Sequence, residues 1–139
     1  MKHRVHLIAS QDRNRNIGYW NELLYRIPED MAYFRAVTTS APPGKKNVVV
    51  MGSATWLSIP KKFRPLSNRI NIVITRNPQR LEKPEDVYFC PTWGCCLSEI
   101  RYMKHIHDIF VIGGAYMFKT VLETEYTCVE TVLMTNIDF

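Results

Sequence analysis

The chain has 139 residues, 46% of them hydrophobic and 22% charged, a balance that argues against a disordered chain and suits one globular domain over residues 1–139. Lysine and arginine outnumber aspartate and glutamate by 18 to 13, a formal charge of +5 that favours anionic partners such as phosphates, carboxylates or nucleic acid. The basic groups are scattered, with Lys61-Lys62 and Arg64, and Arg76 and Arg80, the densest, so a nucleic-acid module rests on net charge alone.

No apolar run approaches a membrane span, and the run at residues 5–10 is too short, and interrupted by His6, for a signal peptide. A cytoplasmic protein is expected. Cys90, Cys95, Cys96 and Cys128 lack the paired spacing of a zinc or redox site and read as reduced, mostly buried thiols. His3, His6, His105 and His107 have no metal-ligand company and read as surface or edge residues; no metal is expected.

In chain order, residues 5–9 form a β-rich run, residues 12–16 a polar loop, and Ile17-Gly18 close it. Pro28 suits the first position of a helix over IPEDMAYFRAVTT, with Glu29 and Asp30 in the first turn, where the macrodipole favours negative charge. Asp30 lies over Phe34 at helical spacing, on the edge of an apolar stripe with Met31. Residues 47–51, NVVVM, form a continuous apolar run, the pattern of a strand buried on both faces. Gly52 ends it, and a short helix over residues 53–59 follows with Ser53 as its cap. Residues 70–75, INIVIT, repeat the buried-strand pattern after a proline-punctuated loop.

A brief strand at residues 87–90, a helix over 95–104, a strand at 109–112 broken by Gly113-Gly114, a helix over 116–122 and a strand at 129–135 complete the chain. Strands alternating with helices predict an α/β fold: an open, mostly parallel, twisted sheet with helices on both faces. In such sheets ligands bind beyond the C-terminal strand ends, which selects Ser10, Gly52 to Thr55, Thr75-Arg76, Gly113-Gly114 and Thr135 by position.

Three of these ends can accept anions. Gly52, Ser53, Ala54 and Thr55 offer N–H groups and a hydroxyl where a helix begins, a phosphate-cradling pattern that a plain helix cap explains equally well. Gly113-Gly114 would admit close backbone approach to a pyrophosphate, and Thr75-Arg76 supply a hydroxyl and a guanidinium for a phosphate. Together they favour a dinucleotide. Asp30 has apolar helical neighbours that would desolvate its carboxyl and favour its protonated form, so it is a candidate to hold a polar heterocycle and manage a proton.

The segments LIASQDRNRNIG, IPEDMAYF, VVVMGSATWLSIP, RPLSNRINIVITR and VIGGAYMF, in this order over essentially the whole chain, resemble dihydrofolate reductase. KFRPLSNR and IPEDM most resemble the reductase domain of protist and plant bifunctional dihydrofolate reductase–thymidylate synthases. The resemblance implies NADPH-dependent reduction of 7,8-dihydrofolate to 5,6,7,8-tetrahydrofolate, binding of antifolates, and a possible thymidylate synthase domain or partner, with neither nucleic acid nor membrane.

It implies that Asp30 binds the pterin and supports protonation at N5, with Thr135 hydrogen-bonded to it and Tyr25 in the position of a water-ordering tryptophan. Ile8, Met31, Phe34, Ser58, Ile59, Leu66, Ile112 and Phe118 would surround the substrate, and Arg69 would pair with its glutamate α-carboxylate through a bidentate fork. Ser10, Ile17 and Gly18 would border the nicotinamide. Gly52, Ser53, Ala54, Thr55, Ile74, Thr75 and Arg76 would hold the adenosine side, and Gly113, Gly114, Ala115, Tyr116 and Met117 the pyrophosphate. The family also implies a cis peptide between Gly113 and Gly114.

The chain departs from the family pattern at four places. Leu24-Tyr25 replace Pro-Trp before the acid helix, Ser53-Ala54 stand where a basic residue usually meets the cofactor phosphates, and Phe118 replaces a tyrosine. The hairpin that follows the Thr135 strand in the family is missing, so the domain is expected to be C-terminally incomplete, with an open sheet edge. A catalytically weak or inactive reductase-like protein that binds pteridine or nucleotide is the alternative.

Overall fold

The computed structural model describes residues 4–11, 17–18, 28–82, 84–124 and 129–136. Its elements run β1 (Arg4–Gln11), β2 (Ile17–Gly18), α1 (Pro28–Thr39), β3 (Lys46–Gly52), α2 (Ser53–Ser58), β4 (Ile70–Ile74), β5 (Val87–Cys90), α3 (Trp93–Tyr102), β6 (Ile106–Gly113), α4 (Ala115–Glu123) and β7 (Val129–Asn136). The seven strands form one sheet in which β1, β6, β3, β4 and β5 are successive neighbours and β7 pairs with β1. Every one of these pairings is parallel; β2 alone is antiparallel, against the end of β1.

The continuous apolar runs have a simple cause. Side chains alternate faces along a strand, and both faces of this sheet are covered. Val48 and Val50 of β3, with Ile109 and Val111 of β6, pack in one layer against Trp93, Cys96 and Ile100 of α3 and Met117, Phe118 and Val121 of α4. Val49 and Met51, with Phe110 and Ile112, pack in the other against Phe34 of α1 and Trp56 of α2. A strand buried on both sides cannot carry the polar alternation of a half-exposed one.

The central pair has irregular register. Lys46 faces Ile106 and Val48 faces Ile109, so Asn47 alone stands opposite both His107 and Asp108. A second shift falls at the far end, where Val50 faces Val111 but Met51 faces Gly113. β6 thus carries an extra residue at each end, as in a β-bulge.

Local chemistry moved several predicted boundaries. Ile17-Gly18, expected as loop closure, form a short strand opposite Gln11 and Ser10. Ser53 does not cap α2: Gly52 occupies that position, without a side-chain cap. The third helix starts two residues before its predicted start, because the Thr92 side chain caps it by accepting from Cys95 N at 3.1 Å, and it ends at Tyr102 because Met103 is extended. Cys90 and Cys96 are buried thiols and Cys95 is exposed. A hydrogen bond from Cys96 holds the Cys90 thiol below its ordinary pKa, and the same contact together with burial pushes Cys96 well above.

His6 departs most from expectation. Far from being a surface residue, it is 7% exposed and stacks on Phe110 with ring centroids 5.0 Å apart. Its Nδ1 bonds the Thr131 hydroxyl, and its Nε2 lies 3.2 Å from Asp108 Oδ2 without hydrogen-bond alignment. Asp108 is held by the Arg4 fork at 2.9 and 3.1 Å. The buried imidazole is thus hydrogen-bonded at Nδ1, to a neighbouring strand, while Nε2 faces a carboxylate that Arg4 holds.

The Thr92 cap provides a test of the helix-start assignment. Thr92→Ala should destabilise the fold by about 1 kcal/mol, with Thr92→Ser recovering most of the loss. Urea unfolding with an unchanged m-value measures it; equal stability of the alanine variant would contradict the cap.

Candidate active site

The strand ends selected by position do converge. β3 closes at Gly52, and a Cβ built there would lie 3.6 Å from Met117 Cγ, 3.9 Å from Gly114 N and 4.0 Å from Gly113 O. The peptide between Gly113 and Gly114 is cis, as is Arg64-Pro65. Gly113 has φ 136°, a conformation that disfavours any side chain. Both α2 and α4 start beside this junction, and the residue at each N-cap is a glycine that makes no side-chain cap; the first N–H groups of a helix are the ones that can bond an anion.

Thr55 makes the junction chemically specific. It lies in the first turn of α2, 1% exposed, and its hydroxyl has no hydrogen-bond partner among the described residues. A buried hydroxyl left unpaired is costly. Thr55 follows Gly52, whose neighbours are Gly113 and Gly114, and a hydroxyl in the first turn of a helix is a group that can bond a phosphate. Ser53 and Gly114 are half-buried, while Ala54, Ala115 and Tyr116 are exposed at the same rim and Met117 is buried beneath it. Next along the sheet, Ile74 and Thr75 are half-buried and Arg76 is exposed. Thr75 N donates to Cys90 O at 2.8 Å, and its hydroxyl accepts from Asn77 N at 3.1 Å. On the other side of the sheet centre, Ser10 pairs in register with both Gly18 and Thr135, and Gln11 with Ile17.

A second feature lies beside α1. A cavity of about 140 Å³ has apolar walls from Met31, Phe34, Phe63, Pro65 and Leu66, with Arg35, Lys62 and Arg69 as its cations and Ser67 at its edge. That volume is close to what one benzene-sized ring fills. Arg69 is 9% exposed; its Nε donates to Ser67 O at 2.8 Å and its Nη1 to the Thr38 hydroxyl at 2.9 Å. Its guanidinium carbon lies 5.9 Å from the centre of the Phe34 ring. The cation is therefore oriented by α1 as well as by its own loop.

That loop is fixed from below by Asn71. Its Nδ2 donates to Leu66 O and Arg69 O at 2.9 and 3.0 Å, and its Oδ1 accepts from Leu66 N at 2.9 Å. A buried side-chain amide thus shapes residues 66–69.

Ile8, Phe34, Ile59, Leu66 and Ile112 share one buried layer. Ser58, half-buried, donates to Thr55 O at 2.6 Å, tying that layer to the junction. Phe118 packs in the opposite layer with Val121 and does not line the cavity. Asp30 falls in the first turn of α1 and Thr135 near the end of β7; their side chains, and Tyr25, lie outside the described residues. Sequence reasoning missed Lys62, Phe63, Thr38, Asn47 and Asn71. The two asparagines had a readable signal, since a polar residue inside a doubly buried strand must have hydrogen-bond partners.

Residues 4–139 match the family model for dihydrofolate reductase. The chain is 35% identical over 123 residues to the dihydrofolate reductase of Schistosoma mansoni, covering 86% of this chain and 65% of that one. It is 38% identical over 125 residues to the bifunctional dihydrofolate reductase-thymidylate synthase of Glycine max, covering 86% of this chain and 23% of that one. It spans less than two thirds of either relative's length. The solved structure of the Schistosoma mansoni dihydrofolate reductase superposes with a TM-score of 0.83 at 33% identity, covering 94% of this chain and 72% of the other. Matched across residues 4–139 and by its architecture, the chain belongs to the dihydrofolate reductase family.

Proposed function

We propose that the chain carries out NADPH-dependent reduction of 7,8-dihydrofolate to 5,6,7,8-tetrahydrofolate, a soluble reaction of the cytoplasm. The observation that carries this reading is the unpaired, buried Thr55 hydroxyl at the Gly52/Gly113-Gly114 junction, in the same fold as an arginine-bearing apolar cavity. One site suits phosphates and the other an aromatic acid.

NADPH bound at the junction supplies the hydride. Thr55 and the first N–H groups of α2 and α4 hold its phosphates, Thr75 and Arg76 its adenosine side, and Ser10, Ile17 and Gly18 border the nicotinamide. With Ser53-Ala54 in place of a basic residue, Arg76 carries the cationic share of that binding.

On the substrate side, Phe34 and Leu66 flank the ring system, and Arg69 takes the glutamate α-carboxylate in a charge-assisted pair. The roles assigned to Asp30 are to hold the pterin and support the proton at N5, and Thr135 and Tyr25 are assigned to its support by the family resemblance. Antifolates compete for the same cavity. The match to bifunctional relatives makes a thymidylate synthase domain or partner part of this proposal.

Two measurements test the reading. Dihydrofolate should drive NADPH oxidation, and Asp30→Asn should lower kcat at neutral pH by about 10²–10⁴; an unaffected rate in that variant sinks the role of Asp30. Thr55→Val should raise the Kd for NADPH at least about tenfold while leaving the free protein equally or more stable, because the hydroxyl has no partner among the described residues to lose. Unchanged NADPH affinity with reduced thermal stability would show Thr55 to be a structural residue only.

A further inference from the structure

Arg69 is a buried cation whose direction depends on the Thr38 hydroxyl, and Thr38 belongs to a different element. The Thr38 hydroxyl hydrogen goes to Phe34 O at 2.8 Å, which leaves its lone pairs for Arg69 Nη1 at 2.9 Å. Thr38 sits in the last turn of α1, where carbonyls have no helical partners. Those carbonyls are answered by one side chain: Asn47 Nδ2 donates to Thr38 O and to Ser40 O, each at 2.9 Å.

Asn47 is 0% exposed, and its other end is also fixed. It occupies the place opposite His107 and Asp108 in the irregular β3–β6 register, and its Oδ1 accepts from Asp108 N at 2.9 Å. A bulge leaves a ladder N–H without its strand partner, and the Asn47 carbonyl takes that bond. With two carbonyls on one side and an N–H on the other, the amide has one allowed orientation.

We propose that Asn47 is a positioning residue for recognition of the substrate carboxylate: it fixes the end of α1 against the central strand pair and thereby sets the Thr38 hydroxyl that aims Arg69. The proposal rests on the dihydrofolate reading of the cavity. A bidentate arginine–carboxylate pair tolerates little misalignment, so loss of this brace weakens binding of the carboxylate and leaves chemistry at the pterin unaltered.

The test compares Asn47→Ala, Thr38→Val and the double variant on two substrates, dihydrofolate and 6-methyl-7,8-dihydropterin, which has no carboxylate. Asn47→Ala should raise KM for dihydrofolate about tenfold with kcat within about twofold, leave KM for the methylpterin unchanged, and add nothing to the loss in Thr38→Val. An equal rise for both substrates, or additive losses in the double variant, overturns the proposal. Should the alanine variant fail to fold, Asn47→Ser is read by the same criteria.

If the wild-type chain turns over neither substrate, the dihydrofolate reading fails, and calorimetric binding of p-aminobenzoylglutamate still decides this point. Weaker binding in the Asn47 variant supports the proposal, and unchanged binding overturns it.

Discussion

The register between β3 and β6 is the constraint on which the rest of the molecule depends. These strands lie at the centre of the sheet, and β6 carries an extra residue at each end of their ladder. The shift at the exit brings Gly113 opposite Met51, which places the Gly113-Gly114 peptide against Gly52. The shift at the entry leaves the Asp108 N–H to Asn47. One irregular ladder therefore shapes the glycine junction at one end of the sheet and the brace for α1 at the other.

Burial of the sheet on both faces divides the work. The layer under α3 and α4 is almost wholly apolar and serves as a floor. The layer under α1 and α2 contains Ile8, Phe34, Ile59, Leu66 and Ile112, and beside it lie the buried polar groups Thr38, Asn47, Thr55, Arg69 and Asn71. All but Thr55 are hydrogen-bonded to one another or to nearby backbone. A network that is satisfied throughout gives a buried cation a fixed direction, whereas a partly satisfied one costs stability. Thr55 is the exception, and its unpaired hydroxyl faces the kind of cost that a ligand can remove.

The mostly parallel sheet, the succession of strands and helices along the chain and the glycine pair were legible because each follows from a strong local rule: β-branched runs as in NVVVM and INIVI, glycine where a strand meets a helix, and proline at the start of α1; the order of the strands within the sheet was not. The cis Gly113-Gly114 peptide was legible only through family resemblance. Short-range chemistry was read less well. Gly52 rather than Ser53 is the cap of α2, because capping depends on which residue is the last with extended backbone, a difference of one position that composition does not encode. His6 was misread for a related reason: its partners Thr131 and Asp108 are distant in sequence and meet it only across the sheet. The bracing of Arg69 through Thr38 and Asn47 was invisible for the same cause, although a polar residue opening a doubly buried strand was a clue.

In the proposed function, one end of this sheet brings a dinucleotide and a pteridine together for hydride transfer. This is tested most directly by turnover with NADPH deuterated at the nicotinamide C4 position that is transferred, followed by mass and NMR analysis of the reduced pteridine. One deuterium per turnover should appear at C6 and a solvent-derived proton at N5. Binding of both molecules without label at C6 would contradict it.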